Sequence, residues 1–326
     1  MGYSVHREDF ESLAAIWDDL ERLNPTRSIF SGLDWSKLWW KHFAKDKELF
    51  IHSVRDGQEC IGIAPLVRNG DTISFIGDTD VSDYMDFIIT PGKEEQFLTA
   101  LLTYASSEGW DHMSLHCMRQ DSSTITILSD ICAEMGYSNS LEVEDVCPTV
   151  GLPDSWEGYL SALSRKDRHE LRRKMRRLEG AGRMSYYYVN GDNGLDPALD
   201  DFLVLHRQSR EEKAAFMTPD MEDFFKDFSR HFISKGQQRL YFMEVDGVRL
   251  SANICFDYGS TLYLYNSGYN PNYAHLSVGL LLKALCIKEA IEAGKEVFDF
   301  LRGNERYKYD LGGVDAPIYH QVITRE

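Results

Sequence analysis

Residues 108–115 read EGWDHMSL and residues 293–300 read AGKEVFDF. Each stretch holds the end of a helix, a glycine that stops it, and then the opening of a strand. Upstream of each lies an Asp-Gly pair, Asp56-Gly57 and Asp246-Gly247, which is a strong hairpin signal. Outward from these anchors the two halves follow one order. In the first half, apolar residues at helical spacing mark 8–23 and 34–44, strands are expected at 49–54, 61–67, 72–76 and 84–89, and a helix at 93–108 leads to a strand at 110–117. A helix at 121–134 and a strand at 137–143 follow. In the second half, a strand at 184–189 precedes helices at 196–211 and 219–235. Strands at 240–245, 248–256 and 261–265, a helix at 276–293 and a strand at 296–301 complete it. A nearly constant offset between the halves marks a duplicated α/β (α+β, mixed-sheet) domain and not a solenoid. The expected division is 1–150, a linker with a helix over 151–183, and 184–326.

The 326 residues suit two domains, and 43% hydrophobic residues suffice for two cores. A net charge of −17 opposes binding DNA or an anionic membrane over the whole surface. The six cysteines include no C-x-x-C pair, as expected for core thiols in a reducing compartment. No metal-ligand spacing occurs, so no metal is expected. The N-terminus has no apolar h-region, and His6 stands where a myristoylation motif needs Ser or Thr. With no window apolar enough to span a membrane, a cytoplasmic protein is expected. Hydrolase and kinase motifs are absent, and the histidines are scattered with no evident nucleophile partner.

The order of elements, with the stretches IFSGLDWSKLWWKHF (29–43), DGQECIGIAPLV (56–67), VSDYMDFI (81–88), SRKDRHELRRKMRRLE (164–179), LHRQSREEKAAF (205–216) and AGKEVFDFLRGNERYK (293–308), resembles the tandem GNAT acyltransferases. Within them it is similar to the CelD-like proteins, cousins of the FemABX aminoacyl transferases. The resemblance implies two GNAT-like units and an N-acyltransferase. Its acyl-CoA cosubstrate would give its acyl group to an amine, and no cofactor would be bound permanently. A cell-envelope or polysaccharide precursor is the expected kind of acceptor. It also implies that coenzyme A pyrophosphate rests on the backbone N–H groups opening the helix near 277, where the helix dipole favours anions. Ser277, Val278, Gly279 and Leu280 are the cofactor-binding candidates, although 275–280 keeps only Gly279 of the family's Gln/Arg-x-x-Gly-x-Gly/Ala motif.

Chemistry-bearing residues gather in five places. Eight cations crowd the helix beginning near Ser164, and Lys166, Arg168 and Arg172 are candidates there to hold an anionic substrate. Tyr265, on a strand offering hydroxyls on one face, is a candidate proton donor to the leaving thiolate or a support for the oxyanion. The stretch RGNERYK matches a family hallmark. Arg302, Tyr307 and Lys308 are candidate substrate ligands in it, and Glu305 is a candidate base for the amine. Asp83 is a candidate base in the first half. His206, Arg210 and Lys213, at i, i+4 and i+7, are candidates to line a cleft between the halves. Two alternatives stay open. One is a FemABX-like enzyme that takes its acyl group from aminoacyl-tRNA on the basic helix. The other is an inactive duplicate that binds a glycan or a protein partner, in keeping with the degenerate 275–280 loop.

Overall fold

The computed structural model describes residues 2–191 and 193–325. The chain forms two compact units, one of residues 1–146 with 316–326 and the other of residues 147–315. The expected boundaries at 150 and 183 therefore give way to others. The basic helix lies wholly inside the second unit, and the end of the chain returns to the first.

In the first unit the elements run β1 (Ser4–Glu8), α1 (Phe10–Leu23), α2 (Leu33–Phe43), β2 (Glu48–Leu49), β3 (Ile51–Asp56), β4 (Glu59–Ala64), β5 (Leu66–Asn69), β6 (Thr72–Phe75), β7 (Ile88–Ile89), α3 (Glu94–Ala105), β8 (His112–Arg119), α4 (Ser123–Met135) and β9 (Ser138–Val146). The second unit holds β10 (Thr149–Gly151), α5 (Trp156–Ala162), α6 (Arg165–Glu179), β11 (Met184–Val189), α7 (Leu195–Ser209), α8 (Glu211–Phe216), α9 (Pro219–Ser234), β12 (Gln238–Val245), β13 (Val248–Tyr258), β14 (Thr261–Tyr269), α10 (Val278–Glu292), β15 (Val297–Asp299) and α11 (Arg306–Asp310). The last strand, β16 (Pro317–Thr324), pairs antiparallel with both β8 and β9.

Local chemistry accounts for the element ends. Asp9 and Ser12 cap α1 reciprocally, and Phe10, Leu13, Trp17 and Leu20 form its buried stripe. At the β12–β13 turn Asp246 and Gly247 both adopt positive φ, as a two-residue hairpin demands. The duplication is visible in the sheets. The strand of EGWDHMSL, β8, pairs in parallel with β6, and that of AGKEVFDF, β15, pairs in parallel with β14. The sheets of the first unit run β1-β3-β4-β7 and β2-β5-β6-β8-β16-β9, and that of the second runs β10-β15-β14-β13-β12-β11.

Two features of the second unit position its site. First, β14 and β15 pair only over Thr261–Tyr263 with Val297–Asp299. Beyond that point β14 continues to Tyr269 without its parallel neighbour, leaving room at the carboxyl ends of the pair. Second, the β13–β14 register shifts between Ile254 and Cys255, so that Tyr265 is an extra, bulged residue. The bulge reverses the alternation of side chains beyond it. Leu262 and Leu264 before it join the core around α10, as does Tyr269 after it.

Candidate functional site

A cavity of about 300 Å³ opens where β14 and β15 have parted, and every residue that lines it belongs to the second unit. Its walls are Ser267 and Tyr269 from β14, the first turn of α10 from Ser277 to Leu280, Lys283 one turn further, and Glu305, Tyr307 and Asp310 after β15. Ser209, Arg210 and Lys213 add the α7–α8 junction, and Lys174 reaches in from α6.

The floor is the start of α10. Ser277 precedes it in a left-handed conformation, φ 60°, and its side chain makes no capping hydrogen bond. The backbone bond that opens the helix runs from Leu281 N to Ser277 O, at 3.0 Å. The N–H groups of Val278, Gly279 and Leu280 precede that bond and carry the positive end of the helix dipole. Gly279 permits the close wall opposite, since a Cβ there would stand 3.3 Å from the Tyr269 ring.

The charge around this floor is mostly positive. Lys174, Arg210, Lys213 and Lys283 face Glu305 and Asp310. Lys283 is buried, 3.3 Å from Gly279 O, with its ammonium 4.8 Å from the Tyr307 ring centroid. Burial pushes its pKa down to about 8. Lys213 donates to Ser267 O, and burial, then Lys283 and Arg210, push its pKa down to about 7. Both lysines are thus cationic at mildly acidic pH and are poised to lose that charge just above neutrality. Burial raises the Tyr307 hydroxyl pKa, so Tyr307 stays a neutral phenol.

Of the residues singled out in the sequence, Arg210, Ser277, Val278, Gly279, Leu280, Glu305 and Tyr307 meet in this cavity, with Lys213 beside them. The others take different places. Lys308 is 1% exposed and donates to Leu301 O (2.8 Å), Arg302 O (2.7 Å) and Gly303 O (2.9 Å). All three of its protons serve the loop, so it is a clamp and not a substrate ligand. Its counterion is Glu305, 3.0 Å away. Burial alone would raise the Glu305 pKa, but Lys308, and behind it Arg210, hold it below the ordinary value. A carboxylate so held is a poor base for an ammonium. Glu305 also explains Gly303, where a Cβ would come within 2.8 Å of its Oε2.

His206 is 1% exposed, packed among Phe202, Phe216 and Phe225, and burial pushes its pKa down to about 3. It is a neutral core residue. Tyr265 packs on Phe225, Phe228 and Phe256, on the face of β14 opposite Leu264, and is not among the lining residues. Arg168 bonds to Ser161 O (3.1 Å) and Arg172 to Glu157 (3.1 Å), tying α6 to α5. Lys166 edges a smaller hollow with Asp167, Glu170 and Arg306. Arg302 lies in the clamped loop and outside the cavity lining. Asp83 is half-buried in the β6–β7 loop of the first unit. Its neighbour Asp86 is a structural node that receives hydroxyls from Thr26, Ser122 and Thr124 at 2.9, 2.6 and 2.8 Å.

Lys174, Tyr269, Lys283 and Asp310 were not singled out from the sequence as site residues. Lys283 had a readable signal, a lone lysine in the apolar run VGLLLKALCI. Buried lysines in such runs are costly unless they are used.

Residues 165–309, from α6 to α11, match the family described as "Acetyltransferase (GNAT) domain". No curated protein sequence matches the chain. Among solved structures, FemX superposes with a TM-score of 0.67 at 12% identity, covering 98% of this chain and 96% of its own. L-PGS from Bacillus licheniformis superposes at 0.60 with 11% identity, covering 98% and 93%. A tandem GNAT protein from the clavulanic acid biosynthesis pathway superposes at 0.52 with 12% identity, covering 99% of each chain. The chain thus has a tandem GNAT-like fold, and residues 165–309 of its second unit match the acetyltransferase (GNAT) domain family.

Proposed function

We propose that the second unit transfers an acyl group from acyl-CoA to an amine, with the donor's pyrophosphate on the first turn of α10. The observation that carries this reading is the start of α10, with no side-chain cap, opening into a cavity lined by four cationic side chains. Backbone N–H groups and the helix dipole supply anion contacts there, and Lys283 and Lys213 supply charge. The same cations disfavour an ammonium in the cavity, so a bound acceptor amine is held as the free base that attacks a thioester. Neither Glu305 nor Tyr265 is needed as proton carrier. Acyl-CoA as cosubstrate places the enzyme in the cytoplasm, and a cell-envelope or polysaccharide precursor remains the proposed kind of acceptor.

Thermal-shift measurements with coenzyme A and acyl-CoAs of rising chain length test this, since a ligand that binds only the native state raises its stability with saturation. A saturable shift that varies with acyl length is expected. Affinity is expected to fall as pH rises from 6.5 to 9. Protonated Lys213 and Lys283 attract the anion, and that charge is lost through about 7 and about 8 in the free enzyme. No shift with any acyl-CoA would contradict the proposal.

The FemX-like fold and the exposed cations of α6, among them Arg165, Lys166, Arg176 and Arg177, favour a second reading, an aminoacyl-tRNA donor. Under it, tRNA binding would weaken steeply with salt while coenzyme A gave no shift.

A further inference from the structure

The first unit carries a hydrogen-bonded chain of a different chemistry. Ser114 and His116 lie on one face of β8, two residues apart, with Ser114 Oγ 3.1 Å from His116 Nε2. His116 Nδ1 lies 2.7 Å from Glu144 Oε1 on β9. The other oxygen of Glu144 accepts from Cys117 N at 2.8 Å. His320 of β16 completes the group, its Nε2 2.8 Å from Ser114 Oγ and its ring stacked on His116 at 3.7 Å and 8°.

The direction of the chain follows from the proton inventory. A carboxylate only accepts, so His116 holds its proton on Nδ1 and offers the Nε2 lone pair. Ser114 has one proton, which goes to that lone pair. In that arrangement His320 donates to Ser114 from Nε2, and its Nδ1, 3.5 Å from Glu142 Oε1, carries a second proton only when the ring is charged. Burial, then the adjacent His116, hold the His320 pKa below the usual histidine range. Glu144 is held below the ordinary carboxylate value, because the His116 and Cys117 hydrogen bonds outweigh burial.

The backbone is bent to make this arrangement. Against β16, β8 has an extra residue between Leu115 and Met118, and β9 has an extra residue at Glu144. Cys117 sits at φ 57°, a costly conformation for a side chain with a Cβ. Two bulges and one left-handed residue converge on a serine, a histidine and a carboxylate from two strands, with a second histidine from a third. Bulges re-aim side chains and concentrate beside reacting groups. The site is open to solvent, with the His116 and Glu144 side chains 33% and 18% exposed.

We propose that Ser114, His116 and Glu144 form a second, esterase-type site, in which Ser114 is the nucleophile toward activated carboxylic esters. Ser114 Oγ attacks the ester carbonyl and its proton passes to His116 Nε2. An alkoxide leaves with that proton, or a phenolate leaves without it and His116 gives the proton to solvent, and an acyl-serine remains. A water, deprotonated by His116, then releases the carboxylic acid and restores the serine, so ester and water give acid and alcohol. Glu144 holds the ring in the required tautomer.

A fluorophosphonate probe tests the assignment on the full chain. Its phosphorus takes the Ser114 oxygen and fluoride departs, giving a single adduct by intact mass that maps to the peptide with Ser114. Labelling is expected to vanish in Ser114→Ala and to slow about 100-fold in His116→Ala. Ser114→Ala is expected to melt at the wild-type temperature and to bind coenzyme A unchanged, which separates this site from the cavity of the second unit. Wild-type protein that stays unlabelled, or an adduct on another residue, overturns the proposal whatever the variants do.

Discussion

Lys308→Met is expected to lower the unfolding free energy of the second unit by about 3–5 kcal/mol, a fall in Tm of roughly 10 °C by scanning calorimetry. The Lys308 ammonium meets the carbonyls of Leu301, Arg302 and Gly303 together, at 2.7–2.9 Å. Leu301, at φ 56°, and Gly303, at φ 107°, put two left-handed residues in that short loop. A leucine in that region costs about 1–2 kcal/mol, and the loop keeps it because the ammonium holds the carbonyls and Asp299 holds the Leu301 N–H at 2.8 Å. Methionine matches the length of lysine but takes this donor from the three carbonyls and its counterion from Glu305. Because Glu305 is 42% exposed, water recovers part of its charge, and most of the loss comes from the carbonyls. A change under about 1 kcal/mol would show that the clamp is idle.

Gly268→Ala is expected to cost about 3 kcal/mol or more in urea unfolding, with loss of the cavity's shape. A Cβ at 268 would lie 2.3 Å from His206 N and 2.5 Å from Leu205 C, both backbone atoms of α7 that no rotamer change moves aside. The strand and the helix must part, and they carry Ser267 and Tyr269 on one side and Ser209 and Arg210 on the other. Gly279→Ala is the matched control. Its Cβ meets only the Tyr269 ring, at 3.3 Å, and alanine suits a helix, so a change within about 1 kcal/mol is expected. Equal effects at the two positions would refute the close approach of β14 to α7.

The two predictions share a cause that the sequence hides. Periodicity and turn signals locate elements, and the repeated Gly109 and Gly294 mark the same helix-to-strand step in both units, each at positive φ. The start of α10, Glu305 and Tyr307, which line one cavity, stood out in the sequence because a helix start, a family hallmark and a strand end each leave a local signature. Contacts between distant residues leave none. His206 and Arg210 stand at helical spacing in the sequence, yet α7 ends at Ser209 with Arg210 extended, and Gly268 draws a strand over His206, which becomes core. Tyr265, Ser267 and Tyr269 alternate together in the sequence, yet the bulge at Tyr265 leaves it on Phe225 and Phe228 while Ser267 and Tyr269 line the cavity. Lys308 stands in a run of charge that looks solvent-facing, and its use is set by the left-handed loop it closes. The strand Pro317–Thr324 was missed because its pairing partners lie about two hundred residues earlier, and two bulges blur its alternation. The scattered histidines 116 and 320 meet for the same reason.

The most direct test of the account is a calorimetric titration of coenzyme A into wild-type protein and into Gly279→Asp. An acidic residue in the first turn favours the helix itself, so the variant is expected to fold. It also sets a carboxylate where the account places the donor's pyrophosphate. Saturable binding at one site in the wild type, weakened at least about 100-fold in the variant, is the predicted result. Equal binding by both proteins, or none by the wild type, would contradict the placement of the donor on α10.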